Sequence, residues 1–149
     1  MKVLITDGLS PSGRKILDDA GIAYDIEHYE PDALVKAIAN YEGIVVRSAT
    51  KVPKEVIDAG EKLKFIARAG AGIDNIDHQY AQSKNIPVLN TPGANSASVA
   101  ELVIAHLFSL ARYIPEANMT MRDGQWNKKA YKGIELADKT LGIIGFGKI

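Results

Sequence analysis

The sequence contains no cysteine in its 149 residues. This absence excludes a disulfide-stapled scaffold, a thiolate metal site and a cysteine nucleophile. An excess of one charge is also absent, because 18 lysine and arginine residues balance 18 acidic residues. Proteins that bind nucleic acid or anionic membranes over a broad surface usually carry a basic excess. We therefore expect neither nucleic acid nor a membrane as a partner.

Long apolar runs and clustered histidines are scarce as well. The longest apolar stretch, residues 102–111, contains His106 and Ser109 and is too short to span a bilayer. The first residues include Asp7 and show no cleavage-site pattern, so no signal peptide is predicted and a cytoplasmic protein is expected. The three scattered histidines lack a carboxylate at a catalytic spacing, which favours structural roles and predicts no metal site: His28, His78 and His106.

What the sequence does contain is a repeated strand–helix pattern. Hydrophobic residues make up 46% of the chain, enough for a packed core. Short runs rich in isoleucine and valine are typical of strands covered on both faces. They predict strands at Val3–Thr6, Ile22–Ile26, Ile44–Arg47, Phe65–Ala67, Val88–Asn90 and Leu141–Ile144. Helical patterns at this spacing between the strands predict right-handed βαβ units, a parallel sheet and an α/β fold.

Several helix ends are readable from the sequence. Ser10-Pro11 predicts the start of the first helix and Gly21 its end. Asp77 is expected to cap a later helix that runs to about Lys84, with Asp74 as the second acid of the same helix start. Two further helices are marked by apolar residues and one terminating glycine: Leu34, Val35 and Ile38 in one, and Val56, Ile57 and Gly60 in the other.

A proline and a glycine after Asn90 predict a hinge between two domains, residues 1–93 and 94–149. Ser98 and Glu101 have the spacing of a capping box, which predicts a helix behind them to about Arg112. That helix is apolar nearly all round, so we expect it to be buried between layers. A shorter helix at 115–123 and an extended polar arm at 124–138 should follow.

Candidate binding residues follow two of the predicted strands. In an open parallel sheet, ligands bind beyond the carboxyl ends of the strands. Arginines bind carboxylate or phosphate, and exposed amides of glycine turns bind anionic oxygens. The strand ends are at residues 7–8, 47–48, 68–72 and 90–93, so two arginines and two glycine-rich turns converge on one edge of the sheet. The pattern indicates a site for a small polyanion, with Arg47, Ser48, Arg68, Gly70 and Gly72 as the candidate binding residues. The alternative is that the arginines are solvated strand ends and the glycines only make tight turns.

The last nine residues form a second motif. A predicted strand leads into Gly145-Phe146-Gly147, the opening of the Gly-x-Gly-x-x-Gly dinucleotide-binding motif. Gly145 would make the tight turn and Gly147 would let the backbone approach a pyrophosphate. Without the third glycine, a glycine-bearing hairpin is an equal alternative.

Taken together, the motifs resemble the D-3-phosphoglycerate dehydrogenases within the D-2-hydroxyacid dehydrogenase family. The resemblance runs in order along nearly the whole chain, through residues 46–51, 68–77, 90–95, 98–101, 124–126, 133–136 and 139–147. It implies a flavodoxin-like substrate domain that begins with residues 1–93. Residues 94–149 would then be the start of a Rossmann domain that binds NAD.

The family resemblance also implies an activity. Its members oxidise a 2-hydroxy acid by hydride transfer to nicotinamide, with a histidine–glutamate pair as the general base and an arginine that polarises the 2-oxygen. The phosphoglycerate enzymes convert 3-phosphoglycerate to 3-phosphohydroxypyruvate in serine biosynthesis. No catalytic residue of this set falls within the 149 residues, and all three are expected beyond Ile149.

Carried over residue by residue, the resemblance implies roles for the candidate residues. Arg47 and Ser48 would contact the substrate phosphate, and the amides of Gly70, Ala71 and Gly72 would bind its carboxylate. Arg68 and Ala71 would touch substrate or nicotinamide, although relatives often have threonine in place of Ala71. The pyrophosphate turn would comprise Gly145, Gly147, Lys148 and Ile149.

The partners implied are a small phosphorylated 2-hydroxy acid and further copies of the chain. A homodimer or homotetramer is expected, with the isolated Trp126 buried against a second subunit. Two other functions stay open at this point. One is a glyoxylate, hydroxypyruvate or D-lactate-type reductase of the same family, and the other is a non-catalytic flavodoxin-like binding fragment. The cationic and hydroxyl groups of residues 47–51 favour a phosphorylated substrate.

Overall fold

A parallel sheet organises the amino-terminal part of the chain. The structure is a computed structural model that describes residues 1–149. Its strands are β1 (Lys2–Ile5), β2 (Ala23–Ile26), β3 (Gly43–Val46), β4 (Phe65–Arg68) and β5 (Val88–Leu89). All neighbours pair in parallel in the order β2-β1-β3-β4-β5. This is the flavodoxin-like strand order, and the predicted α/β fold is confirmed.

Helices connect the strands, as the sequence pattern predicts. They are α1 (Pro11–Asp19), α2 (Pro31–Ala37), α3 (Lys54–Ala59) and α4 (His78–Ser83), and a 3-10 turn at Ile38–Asn40 extends α2. The predicted cap of α1 is present, because the Ser10 hydroxyl accepts from the Gly13 amide. Asp77 caps α4 in the same way by accepting from the Tyr80 amide, and Gly60 ends α3.

The core lies between the sheet and helices α2 to α4. Val3, Leu4 and Ile5 of β1 are all buried, so both faces of this strand are covered, as their apolar character predicts. The remaining core side chains come from the other central strands and from the helices, among them Leu34, Ile38, Ile44, Val56, Ile57 and Ile66. A side chain on Gly43 would collide with the Phe65 ring, so glycine is needed there to let β3 and β4 pair.

The chain divides into two compact units, Met1–Ala94 and Asn95–Ile149. The second unit contains α5 (Ser96–Arg112), α6 (Ile114–Arg122) and an irregular arm after Asp123. Tyr113 joins the two helices with a left-handed backbone, φ 52°. The arm is fixed to the end of α5, because the Ile134 amide donates to the Ala111 carbonyl at 2.9 Å.

Three expectations for the second unit are wrong. The helix α5 begins at Ser96 after Asn95, so Ser98 lies inside it and cannot act as its cap. No residue of α5 is buried, and Leu110 is 77% exposed, because only α6 and the arm pack on the helix within its own unit. Residues 141–144 form no strand, since no extended neighbour in that unit supplies hydrogen-bond partners.

No single helix is long and apolar enough to cross a membrane. α5 and α6 together reach the required length and hydropathy, but they are bent by 63° at the break between them.

Candidate functional site

The loop after β3, residues 47–51, is held by a buried carboxylate at the end of β1. Asp7 accepts hydrogen bonds from the Arg47 amide at 2.6 Å, the Thr50 amide at 3.1 Å and the Thr50 hydroxyl at 2.6 Å. Its side chain is only 6% exposed. β1 and β3 are adjacent although the chain passes through β2 between them, so this is the switch point of the sheet. Asp7 therefore lies at the crevice where such sheets commonly bind ligands.

The electrostatics of Asp7 suit this role. Burial by itself would raise the pKa of the carboxyl. The hydrogen bonds from Thr50 and the Arg47 amide outweigh burial and hold the pKa below its ordinary value. His28 Nδ1 lies 3.7 Å from Asp7 Oδ1, too far for a hydrogen bond but close enough to favour the charged carboxylate. Asp7 is thus an anion at neutral pH with three donors directed at it.

Asn75 holds the same loop by donating hydrogen bonds to two carbonyl groups of the loop backbone. Its side-chain amide donates to the Arg47 carbonyl at 2.7 Å and to the Thr50 carbonyl at 2.6 Å. Because both partners are acceptors, the nitrogen of this amide must face the loop. A backbone bridge between Val52 and Ile76 brings the two segments together. Asp7 and Asn75 together fix the backbone at both ends of residues 47–50.

The groups that remain free in this loop are those expected to bind an anion. The side chains of Arg47 and Ser48 are exposed and make no hydrogen bond or ion pair within the chain. The amides of Ser48 and Ala49 also have no acceptor. A rigid loop therefore presents a guanidinium, a hydroxyl and two amides to solvent.

Arg68, at the end of β4, is arranged differently. Strand pairing sets it beside Val46, next to the start of the Arg47 loop. Its side chain is 14% exposed, and Nη1 donates to Asp74 Oδ1 at 2.7 Å, while the buried Nε has no partner. This bond lowers the pKa of Asp74 below its ordinary value. Asp74 is predicted as part of a helix start, and in the structure it is 86% exposed and orients the arginine.

The Arg68 side chain lies over the glycine turn. A Cβ atom on Gly72 would sit 3.0 Å from Arg68 Nη1 and 3.0 Å from Asp74 Oδ1. Neither Gly70 nor Gly72 has a positive φ, so the tight-turn alternative does not explain these glycines. A side chain at position 72 would crowd the ends of the Arg68 and Asp74 side chains, so glycine lets the guanidinium lie close to the turn amides.

The turn itself is bound to the segment after β5. The Asn90 side-chain amide donates to the Ala71 carbonyl at 2.6 Å, and the Thr91 amide donates to the Gly70 carbonyl at 3.0 Å. Of the three amides predicted to bind a carboxylate, that of Gly70 instead donates to the Arg68 carbonyl at 2.8 Å, and those of Ala71 and Gly72 have no acceptor within the chain. The predicted residues after β3 and β4 are thus neighbours along one edge of the sheet.

The predicted dinucleotide residues lie in the second unit and are exposed: Gly145, Gly147, Lys148 and Ile149. Gly145 has φ 88°, a conformation that favours glycine, and no atom lies within 4 Å of a Cβ built on Gly147. Both properties fit the opening of a turn that a pyrophosphate approaches closely. These residues could therefore hold the first part of a dinucleotide.

The first unit also contains a groove of about 890 Å³ between the β2–α2 loop and the start of α3. Thr50 and Lys51 line it, but Arg47, Arg68 and the glycine turn do not. Its walls combine apolar side chains with charges of both signs. The predicted anion-binding groups therefore lie outside the groove, on an open edge of the sheet.

Three supporting residues are not among the predicted site residues: Asp7, Asn75 and Asn90. Asp7 and Asn90 lie at strand ends that the sequence predicts, but their residue types alone do not identify them as supports of the loops. Asn75 lies in a loop 25 residues from the Thr50 carbonyl that it binds, and only the fold brings the two together.

The strand order defines a flavodoxin-like α/β domain, with a candidate anion site at one edge of its sheet. The sequence profile described as D-isomer specific 2-hydroxyacid dehydrogenase, catalytic domain, matches residues 3–136. The chain belongs to this family.

The curated relatives are much longer than this chain. D-3-phosphoglycerate dehydrogenase from Homo sapiens is 48% identical over 149 residues, which are 99% of this chain and 28% of the relative. Hydroxypyruvate reductase from Thermotoga maritima is also 48% identical, over 99% of this chain and 49% of the relative. The chain thus spans half or less of the relatives that it matches.

Solved structures give the same relationship. The TT0316 protein of Thermus thermophilus superposes with a TM-score of 0.89 at 30% identity, over 99% of this chain and 50% of that protein. A cofactor (NAD+)-bound 3-phosphoglycerate dehydrogenase from Entamoeba histolytica has a TM-score of 0.64 at 35% identity, over 75% of this chain and 39% of that protein.

Proposed function

We propose that this chain forms the substrate-binding part of an NAD-dependent enzyme that oxidises 3-phosphoglycerate to 3-phosphohydroxypyruvate. The observation that carries the proposal is the pair of anion-binding loops at adjacent strand ends. The first presents Arg47 and Ser48, and the second presents the free amides of Ala71 and Gly72. A substrate with a phosphate at one end and a carboxylate at the other matches two such loops.

In this proposal each loop binds one end of the substrate. The Arg47 guanidinium and the Ser48 hydroxyl donate to the phosphate oxygens, and the Ala71 and Gly72 amides donate to the carboxylate. Arg68, held by Asp74, adds positive charge beside the glycine turn. The two bound ends fix the orientation of the carbon that carries the hydroxyl, which is a requirement for efficient hydride transfer.

The proposed cofactor is NAD, which when bound accepts the hydride from the substrate carbon. Gly145 and Gly147, with Lys148 and Ile149 next to them, would begin the pyrophosphate turn. The general base is expected outside the binding loops, because His28, the histidine next to them, is directed at Asp7. We propose that residues 1–93 and 94–149 correspond to the first segment of a substrate domain and the entry to a cofactor domain.

A second candidate function is reduction of hydroxypyruvate. The Thermotoga maritima relative with that name is as similar to this chain as the human phosphoglycerate enzyme is. Hydroxypyruvate has the carboxylate but no phosphate, so its binding would need the glycine turn and not Arg47. The contribution of Arg47 therefore distinguishes the two functions.

Substitution of Arg47 tests the choice of substrate in the full-length dehydrogenase. Arg47→Ala should raise KM for D-3-phosphoglycerate roughly tenfold to a hundredfold, the effect of losing a charged hydrogen bond of about 1.5–3 kcal/mol. KM for hydroxypyruvate should change less than about threefold. Both are measured through the absorbance of reduced nicotinamide.

Arg14→Ala on helix α1 is the matched control, because it removes the same charge from the same unit away from the loops. Equal effects of Arg47→Ala on both substrates, or activity of the wild-type enzyme with hydroxypyruvate alone, would favour the second candidate.

We further propose that the enzyme assembles as a homodimer or a larger homo-oligomer. Trp126 on the arm is 76% exposed, and α5 carries several exposed apolar side chains. Burial of such residues is typical of subunit interfaces. Sedimentation of the full-length protein should show a dimer or tetramer at micromolar concentration, and Trp126→Ala should weaken it, whereas a monomer would contradict this proposal.

A further inference from the structure

The Gly70–Gly72 turn is held from one side by the segment after β5. Two consecutive carbonyls of the turn are bound there, that of Gly70 by the Thr91 amide and that of Ala71 by the Asn90 side chain. The Asn90 bond is short, 2.6 Å, and joins residues 19 positions apart. Of these two donors, only the Asn90 amide group belongs to a side chain. A side-chain substitution therefore removes it.

These two bonds determine where the turn amides point. The chain contains no cis peptide bond. In a trans peptide the carbonyl of one residue and the amide of the next point in opposite directions. Since the Gly70 and Ala71 carbonyls are directed at Asn90 and Thr91, the Ala71 and Gly72 amides are directed away from them. Both amides are therefore presented on the outer side of the turn, where the chain provides no acceptor.

We propose that Asn90 is a positioning residue that aims the Gly72 amide at the carboxylate of the substrate, while the Thr91 amide holds the neighbouring Gly70–Ala71 peptide. This inference rests on the proposed function and adds a residue that does not touch the substrate. Without the Asn90 donor, the Ala71–Gly72 peptide loses the bond that fixes its rotation, and water can replace Asn90 in more than one orientation. Donors that are fixed before binding stabilise an oxyanion better than donors that must be reoriented.

A purely structural role for Asn90 has different consequences. β5 has only two residues, so the Asn90 bond could serve merely to extend the pairing of this edge strand with β4. Loss of a structural bond would lower the melting temperature and affect all ligands alike. Loss of a positioning bond affects ligands that have a carboxylate and leaves those without one unchanged.

The test measures two anions as competitive inhibitors of the full-length dehydrogenase. Oxalate probes the glycine turn through its carboxylates, and inorganic phosphate probes the Arg47 loop. Asn90→Ala and the nearly isosteric Asn90→Leu both remove the donor without adding charge. We expect Ki for oxalate and KM for D-3-phosphoglycerate to rise about threefold to tenfold, kcat to change less than KM, and Ki for phosphate to stay within about twofold.

Asn40→Ala is the matched control, since Asn40 is an exposed asparagine of the same unit with no side-chain hydrogen bond. It should leave both inhibition constants unchanged. A wild-type oxalate constant in both Asn90 variants, or an equal loss for oxalate and phosphate, would overturn the inference while the proposed function stands. If the wild-type enzyme neither oxidises D-3-phosphoglycerate nor is inhibited by oxalate, the proposed function fails first and the inference fails with it.

Discussion

At the scale of single residues, the loop after β3 depends on one buried carboxylate. Asp7 accepts three hydrogen bonds from Arg47 and Thr50, two of them from backbone amides. A buried donor that is left without an acceptor destabilises the fold by more than an intact hydrogen bond stabilises it. The backbone that carries Arg47 and Ser48 is therefore more sensitive to position 7 than to its own exposed side chains.

Asp7→Ala should lower the free energy of unfolding by roughly 2–4 kcal/mol, because three donors lose their acceptor in a site with little access to water. Asp7→Asn should cost less, since one oxygen can still accept from both amides. Asp19→Ala, which removes an exposed ion pair with Lys15, should cost less than about 1 kcal/mol. Urea unfolding measures all three variants. Equal stability of Asp7→Ala and Asp19→Ala would show that the loop does not need the carboxylate.

At the scale of helices and strands, a residue of capping type identifies the start of a helix only where its side chain accepts a hydrogen bond from an amide of the first turn. The residues before α1 and α4, Ser10 and Asp77, both accept from an amide in the first turn. The residue before α5, Asn95, makes no such bond although its type favours a cap. The Ser98 and Glu101 pair has the capping spacing, but helical backbone already begins at Ser96. Spacing alone therefore does not identify a cap.

This contrast leads to a test on two helices. Asp77→Ala should destabilise the first unit by about 1 kcal/mol, because the Tyr80 amide loses its partner. Asn95→Ala should change stability by less than about 0.5 kcal/mol, since no cap bond is lost. Thermal unfolding followed by circular dichroism compares the two variants. A larger loss for Asn95→Ala would mean that this side chain has a partner that the structure does not contain.

At the scale of the whole molecule, one carboxylate ties the amino ends of three strands. Glu42, just before β3, contacts the Lys64 ammonium at 2.6 Å, the Lys2 amide at 3.0 Å and the chain's amino terminus at 3.3 Å. The hydrogen bond from Lys64, followed by those from the amino terminus and Lys2, lowers the pKa of Glu42 from 4.5 to about 2. This end of the sheet is therefore held by charge, and the opposite end carries the proposed anion site.

The lowered pKa of Glu42 gives stability a defined pH dependence. The contribution of this carboxylate is complete above about pH 4.5 and is lost as the pH falls towards about 2, because the folded state binds the proton less readily than the unfolded state. Glu42→Gln should lower the melting temperature at pH 7 and flatten its decline between about pH 4.5 and 2. Glu61→Gln, an exposed residue without an ion pair, should leave the profile unchanged. A Glu42→Gln profile parallel to that of the wild type would contradict the assignment.

Residues 1–149 expressed alone should catalyse no detectable reduction of NAD by D-3-phosphoglycerate. They contain only the first turn of the proposed dinucleotide site, without a following helix whose amino end would hold the pyrophosphate. Proton transfer by a positioned base contributes roughly a hundredfold to ten-thousandfold, and we expect none of the three histidines to supply it. The full-length enzyme is the control in the same absorbance assay. Clear turnover by the homogeneous 149-residue chain would mean that Arg47, Arg68 or one of the three histidines has a catalytic role.

The sequence by itself was enough to predict the α/β class, the strands of the first unit and the strand ends where Arg47, Arg68 and the glycine turn are found. These features follow from short-range signals: short apolar runs, prolines and glycines at helix ends, and acids or hydroxyls at caps. The resemblance to the 2-hydroxyacid dehydrogenases added the family, which the matched profile confirms.

The tertiary structure alone decided which side chains hold the binding loops. Asp7 reaches Thr50 over 43 positions, Asn75 reaches Arg47 over 28, and Asn90 reaches Ala71 over 19. The strand order β2-β1-β3-β4-β5 brings these residues together although they are far apart in the sequence. No periodicity in the sequence encodes which polar residue at a strand end will face which loop. The same limit explains α5, whose apolar composition predicts burial. Burial depends on what packs against a helix, and that is a property of the assembled structure and not of the helix.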